Sequence, residues 1–284
     1  MEIEHGVRPL EPTVRTDLSG DLDYAGYLHL DTLLSAQHPL SDPPHPDELL
    51  FIIQHQTTEL WLKLMVHELL GARAFLDADD LSRARKSIAR VKHILHTITD
   101  QWSVLATLTP SEYAEFRGVL GPASGFQSVQ YRAVEFLLGN KNPAMLEVFA
   151  GDEQAHRMLA DVLETPTVYD AFLRLVARRG HPVPAEVLER DVSRAWVEVP
   201  ALVPVFKAVY EDPTTHWELY ETSEDLVDVE DAFQLWRFRH LRTVQRTIGH
   251  KRGTGGSSGV GFLRRALDLT FFPELIAVRT EIGG

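Results

Sequence analysis

Along much of this chain the apolar residues recur every three or four positions, the spacing that holds them on one face of an α-helix. From Pro46 onward, Phe51, His55, Thr58, Leu62, Met65 and Leu69 share such a face. Pro46, Asp47 and Glu48 open that helix in the usual way, with proline and acids in the first turn. A second long helix is predicted from Leu81 to Leu105, with Arg and Lys outward and an apolar cluster containing Trp102 at its end. A third is predicted from His216 to Thr247. Between them, Thr109, Pro110, Ser111 and Glu112 match a capping box with proline at the first helical position. That box starts a helix on which Tyr113, Arg117 and Leu120 follow at steps of four and three. Weaker patterns suggest short helices over 142–150, 152–163 and 166–179, a proline-rich connector over 180–204, and a further helix from Val205 to Tyr210. Alternating β-branched runs and Asn-Gly or Asp-Gly hairpins are nearly missing. The predicted fold class is all-α: one helical bundle over 1–284 with no internal repeat, in which a site is built from side chains on facing helices.

The N-terminal end reads differently. Residues 1–20 are polar and aperiodic, an irregular arm. From Asp23 a helical stripe of Tyr24, Tyr27, Leu28, Leu30, Leu33 and Leu34 follows, cut off by Pro39, Pro43, Pro44 and Pro46. A helix this short is marginal alone. It needs a surface to dock on, either its own core or a neighbouring subunit.

Composition narrows the classes of function. The chain has 284 residues, 44% hydrophobic and 24% charged, with 28 basic against 41 acidic residues and a formal net charge of −13. Such an acidic surface argues against nucleic acid and anionic membrane as partners. Cysteine is absent, which removes disulfides, thiolate metal sites and cysteine nucleophiles and fits a cytoplasmic location. Neither a signal-peptide core nor a run of membrane-spanning length is seen, so a soluble protein is expected.

Several residues carry possible chemistry. His55 points where the core points, and a buried histidine bonded to a backbone carbonyl is one reading of it. Arg117 lies on an apolar stripe, and an unpaired buried guanidinium is costly. It would form an internal ion pair, snorkel to the surface, or present a fork to a ligand carboxylate. The small-residue break Gly121–Ser128 follows at once and lets two helices approach something flat or bulky. Glu153 and His156 form an ExxH pair of the kind di-iron proteins use in duplicate, but no second copy sits on a convincing core helix and the segment is highly polar. Phe233, Trp236, His240 and Val244 are spaced three, four and four, so His240 sits among large apolar neighbours. That setting suits a neutral imidazole ligand to a flat apolar cofactor such as haem. The GTGGSSG run after Lys251 and Arg252 is neither a phosphate loop nor a dinucleotide fingerprint. From spacing alone, haem ligation and core packing both stay open for His240, and the loop reads as a linker.

The stretches FIIQHQTTELWLK (51–63), FRGVLGPASGFQSVQYR (116–132), WRFRH (236–240), and IGHKRGTGGSSGVGFLR with FFPELIAVRT (248–280) closely resemble the tryptophan 2,3-dioxygenase family. The likeness runs in register from YAGYL to VRT, nearly the whole chain. It implies an all-α homotetramer using haem b, with L-tryptophan and O₂ as substrates, opening the indole C2–C3 bond to N-formyl-L-kynurenine. His240 would be the proximal iron ligand and His55 the distal imidazole beside the indole nitrogen. Arg117 would grip the substrate carboxylate with Tyr113 beside it, and Thr254 would meet the amino-acid end as the lid, 249–261, closes. Phe51 would pack on the indole. Tyr24, Tyr27 and Leu28, within the arm and exchange helix 1–38, would come from a neighbouring protomer. Trp102, Ser124 and Gly125 would lie against the haem. The rival classes are a di-iron carboxylate oxidase and a cofactor-free helical scaffold.

Overall fold

The computed structural model describes residues 6–283; the first five residues of the expected arm and the final glycine lie outside the described residues. The described residues are helical with no strand, as the periodicity predicts. The chain divides into two compact units, one up to Pro39 and one from Leu40 onward.

The first unit holds α1 (Tyr24–Leu28) and α2 (Leu30–Leu33). The Asp23 carboxylate caps α1 by accepting the Gly26 N–H at 2.6 Å. The predicted single stripe is broken, because His29 takes a left-handed conformation (φ 51°) that ends one helix and begins the next. Neither helix buries a residue, and Tyr24 and Tyr27 are 76% and 70% exposed. Apolar side chains thus stand here without a core of their own.

The second unit is built on three long helices. These are α3 (Pro46–Asp77), α4 (Leu81–Asp100) and, much later in the chain, α12 (Trp217–Ile248). After α4 come α5 (Trp102–Leu105), α6 (Pro110–Phe116), α7 (Val129–Leu138), α8 (Glu153–Leu163), α9 (Val168–Arg178), α10 (Ala185–Leu188) and α11 (Val203–Glu211). After α12 come α13 (Val260–Ala266) and α14 (Pro273–Glu281). The second predicted helix stops at Asp100, so Trp102 opens a separate single turn. Likewise the capping-box helix ends at Phe116, and Arg117–Leu120 is a 3₁₀ turn. Pro143–Phe149 is also 3₁₀, and the expected connector contains α10 and the 3₁₀ turn Pro200–Leu202.

The helix α4 packs on both α3 and α12. Its inner face is apolar, with Ile88, Val91 and Leu95 almost wholly buried, each such side chain contributing about 1.5–3 kcal/mol. Its outer basic residues reach α12: Arg85 pairs with Glu221 and Asp225, and Lys92 with Asp228. Buried carboxylates fix the C-terminal segment. Glu230 accepts the N–H groups of Phe271 and Phe272. Glu274 accepts from Tyr169 Oη, Trp196 Nε1 and the Val199 N–H. Burial pushes both carboxyls up, while these donors pull them back. The short helices α5 and α6 each touch both α3 and α12. They bridge the two helices that carry His55 and His240.

Candidate functional site

On α3, His55 stands four residues after Phe51, and its Nδ1 lies 2.7 Å from the Phe51 carbonyl oxygen. A carbonyl only accepts, so Nδ1 carries the hydrogen and Nε2 keeps its lone pair. Burial lowers the pKa of this imidazole, with the carbonyl bond opposing. The carbonyl-bonded reading of His55 is therefore correct, and it leaves Nε2 of a neutral ring as an acceptor. Phe51 lies against that ring, with centroids 4.2 Å apart, and against Tyr113 at 5.7 Å. Phe116, wholly buried, closes a triangle with them at 5.8 Å from Phe51 and 5.4 Å from Tyr113.

Arg117 follows where α6 tightens into 3₁₀. Among the described residues it has no carboxylate partner, so the internal ion-pair reading is not the one the structure adopts. Its Nη2 donates to the Arg252 carbonyl at 2.5 Å, and its buried Nε has no partner. Burial raises the Tyr113 phenol pKa, and the nearby Arg117 guanidinium offsets part of that rise. A half-used guanidinium beside a neutral phenol is suited to a carboxylate, which would fill the fork with charge-assisted bonds.

Facing this wall, His240 on α12 lies in aromatic surroundings. Its ring stacks on Trp102 with centroids 5.0 Å apart at 9°, and Trp236 flanks it at 5.3 Å. Burial drives its pKa down to about 4, and the nearness of His55 pushes the same way. His55 is thus close enough to disfavour a charge on His240, and with burial lowering both, both imidazoles stay neutral near pH 7. The indole N–H groups of Trp102 and Trp236 are buried without partners. A neutral nitrogen donor among flat apolar faces, with two orphaned N–H groups beside it, fits a planar cofactor carrying acceptor groups on its edge.

The segment 249–261 seats on the turn that follows Arg117. Thr254 Oγ1 donates to the Ala123 carbonyl at 2.5 Å. Gly255 lies so close to Ser124 that a Cβ there would stand 2.7 Å from the serine Cβ. Ser124 caps the 3₁₀ turn Gly125–Gln127 reciprocally with Gln127, and Gly125 has open space where a side chain would go. Inside the loop the Gly253 N–H donates to the Ser257 carbonyl. At its end Gly259 has φ +60°, with the Lys251 carbonyl 2.7 Å from where a Cβ would lie. Hydrogen-bonded to the turn and internally folded, this segment is not a free linker.

The structure therefore gathers Phe51, His55, Tyr113 and Arg117 on one wall, Trp102 and His240 on the other, and Thr254 with Ser124 at the loop. Tyr24, Tyr27 and Leu28 belong to the first unit and are exposed. Glu153 of the ExxH pair is exposed on α8 and pairs with Arg157 at 3.4 Å. Among the described residues no group of three or more His, Cys, Asp or Glu is arranged to hold a metal ion. Three contributors carry little or no signal in the sequence. Trp236 is visible in the helical spacing as an apolar neighbour of His240, but nothing in that spacing marks its unpartnered N–H. The Ala123 and Arg252 carbonyls, being main chain, leave no signal in side-chain identity.

The family model described as tryptophan 2,3-dioxygenase matches residues 11–206 and 202–282. A tryptophan 2,3-dioxygenase of Kineococcus radiotolerans is 66% identical over 280 residues, covering 99% of this chain and 98% of the relative. One from an Arthrobacter species is 62% identical over 283 residues, covering both chains fully. One from Xanthomonas campestris pv. campestris is 60% identical over 283 residues, covering all of this chain and 95% of the relative. Similarity of this depth over the whole length shows that the chain belongs to the tryptophan 2,3-dioxygenase family, oxidoreductases that act as dioxygenases on tryptophan.

Proposed function

We propose that the two-walled site binds haem b and L-tryptophan, and that the product is N-formyl-L-kynurenine. His240 would hold the haem iron, supported by its neutral ring between Trp102 and Trp236, and Trp102, Ser124 and Gly125 would lie against the cofactor. Bound haem would supply the dioxygen and redox chemistry that opens the indole C2–C3 bond. The chain's own residues do the rest by placement. His55 Nε2 accepts the indole N–H, because Nδ1 is already committed to the Phe51 carbonyl. With its pKa lowered by burial this imidazole is a weak base, so its role is to orient the indole rather than remove a proton. Phe51 packs on the indole face. Arg117 takes the substrate carboxylate with Tyr113 beside it, exchanging the Arg252 carbonyl for a stronger acceptor. Thr254 meets the amino-acid end as the loop closes and bulk water is excluded. Tyr24, Tyr27 and Leu28 of a neighbouring protomer complete the pocket in a homotetramer, supported by their exposure in a unit with no core. No helix among the described residues is long and apolar enough to cross a membrane, and the cysteine-free composition supports a cytoplasmic location.

The observation that carries this reading is the pairing of two neutral imidazoles, one with a fixed Nε2 acceptor, beside an arginine that holds only a carbonyl. The test is one absorption series on purified protein: as isolated, after dithionite, and after L-tryptophan under air. A Soret band that shifts on reduction, followed by a product two oxygen atoms heavier than tryptophan, supports it. A colourless protein, or a non-haem iron spectrum, would overturn it.

A further inference from the structure

The two parts of the substrate wall come from different helices, so something has to set their separation. His55 and Phe51 lie on α3, whereas Tyr113 and Phe116 lie on α6, with Arg117 next in the chain. The connection that the site chemistry leaves unused is His45, the N-cap of α3. Its Nδ1 accepts the Asp47 N–H at 3.2 Å. An acceptor nitrogen carries no hydrogen, so the neutral ring must bear its proton on Nε2. That Nε2 stands 3.2 Å from Glu115 Oε2, on α6. The helix cap thereby selects the tautomer that can donate across to the neighbouring helix.

The residue is also held through its backbone. Its backbone N–H donates to Ser41 Oγ at 2.8 Å. Ser41 in turn donates through both its N–H and its hydroxyl to the Glu48 carboxylate, which also accepts the Leu40 N–H at 2.7 Å. Glu48 is only 1% exposed and sits one turn into α3. The loop before α3 is thus clasped to the helix it precedes. The ring of His45 lies 5.3 Å from Phe116, which touches Phe51 on one side and Tyr113 on the other. The histidine side chain is 13% exposed and its Glu115 partner 66% exposed, so the pair contributes geometry more than stability.

We infer that His45 is a positioning residue for substrate: fixed as the Nε2–H tautomer by the α3 cap, it spans to Glu115 and sets the distance between His55 and Arg117. This rests on the carboxylate-binding reading of Arg117 above. Substrate must satisfy both ends at once, the indole at His55 and the carboxylate at Arg117. A change in their spacing penalises a ligand that uses both and spares one that uses only the indole end.

The test uses the haem-loaded full-length enzyme. His45→Asn keeps a side-chain cap for α3 but is too short to reach Glu115, while Glu115→Gln keeps an acceptor and Glu115→Ala removes it. Each is assayed for KM and kcat with L-tryptophan and with tryptamine, and for L-tryptophan affinity by equilibrium Soret titration. His45→Asn and Glu115→Ala should raise KM and Kd for L-tryptophan about fivefold with kcat nearly unchanged, as the weakening of one binding contact does. Tryptamine parameters should hold, and Glu115→Gln should behave as the parent. Equal losses for both ligands, unchanged KM in folded and loaded His45→Asn, or a fall in thermal midpoint that tracks every kinetic change would overturn the inference. Arg117→Ala run alongside tells the two readings apart. If it abolishes the preference for L-tryptophan while His45→Asn does not alter it, only the spacing role fails. If Arg117→Ala leaves the preference intact, both fall.

Discussion

His240 stands between two indole rings, whereas His55 has a ring neighbour, Phe51, and a hydrogen bond to main chain. On the α12 side, Trp102 and Trp236 flank the imidazole, and their own N–H groups are buried without partners. On the α3 side three polar groups hold main chain, Nδ1 of His55 a carbonyl, Arg117 that of Arg252 and Thr254 that of Ala123, while the Arg117 Nε stays unpartnered. One wall is complete in shape and incomplete in bonding, which suits a permanent ligand that brings its own acceptors. The other wall has provisional partners that a transient ligand can displace at little cost, because a carboxylate is a better acceptor for a guanidinium than an amide carbonyl. Such a difference suits a resident ligand on one wall and an exchanging one on the other.

The contrast can be broken most severely at His240. His240→Ala should eliminate stable haem binding, read as loss of the Soret band in protein whose helical circular dichroism is unchanged; full occupancy would remove His240 as the axial ligand. Next comes the acid response of the haem-free protein. The folded His240 pKa is about 4 against an ordinary 6.5, so between those values the unfolded chain binds more protons. Its contribution is fully present above about pH 6.5 and is lost as pH falls towards 4, by roughly 3 kcal/mol at most. His240→Phe should flatten the fall in thermal midpoint over that window, and an unchanged slope would mean other groups control it.

Smaller effects are expected on the provisional wall. Arg117→Ala should cost about 2 kcal/mol of L-tryptophan binding, the range for a hydrogen bond to a charged group, and erode the preference over tryptamine. His55→Ala should lower kcat by about tenfold yet keep measurable turnover; complete loss with haem still bound would instead favour an obligatory base. Thr254→Val should be mildest, raising KM roughly fivefold for the loss of one hydroxyl bond, with haem content unchanged.

Much of this arrangement is legible in the chain itself. Steps of three and four put His55 with Leu62 and Met65, and His240 with Phe233 and Trp236, and both histidines lie where that spacing points. The capping box at Thr109 forms as written, with both reciprocal bonds present. What periodicity misses is where a helix tightens or stops without a breaker. Nothing in Gln101 or Phe116 marks the end of α4 or the 3₁₀ turn that aims Arg117. The left-handed His29 is equally silent, because a residue other than glycine rarely takes that conformation. The loop is misread for a different reason. Its glycines look like flexibility, but Gly255 and Gly259 lie where contacts with Ser124 and Lys251 leave no room for a side chain.

The helix α12 ends at Gly249, whose φ of +60° and ψ of −129° lie outside the range comfortable for other residues. His240 lies eight residues before the helix's last residue, Ile248, about 12 Å along the axis. His240 and the start of the loop are therefore carried by one rod, and the joint at Gly249, which only glycine makes easily, lies between that rod and the rest of the loop. Such a joint works as a seam between modules. On one side, substitutions in the loop can alter its seat on Ser124 and Ala123; on the other, the His240 imidazole keeps its place between Trp102 and Trp236.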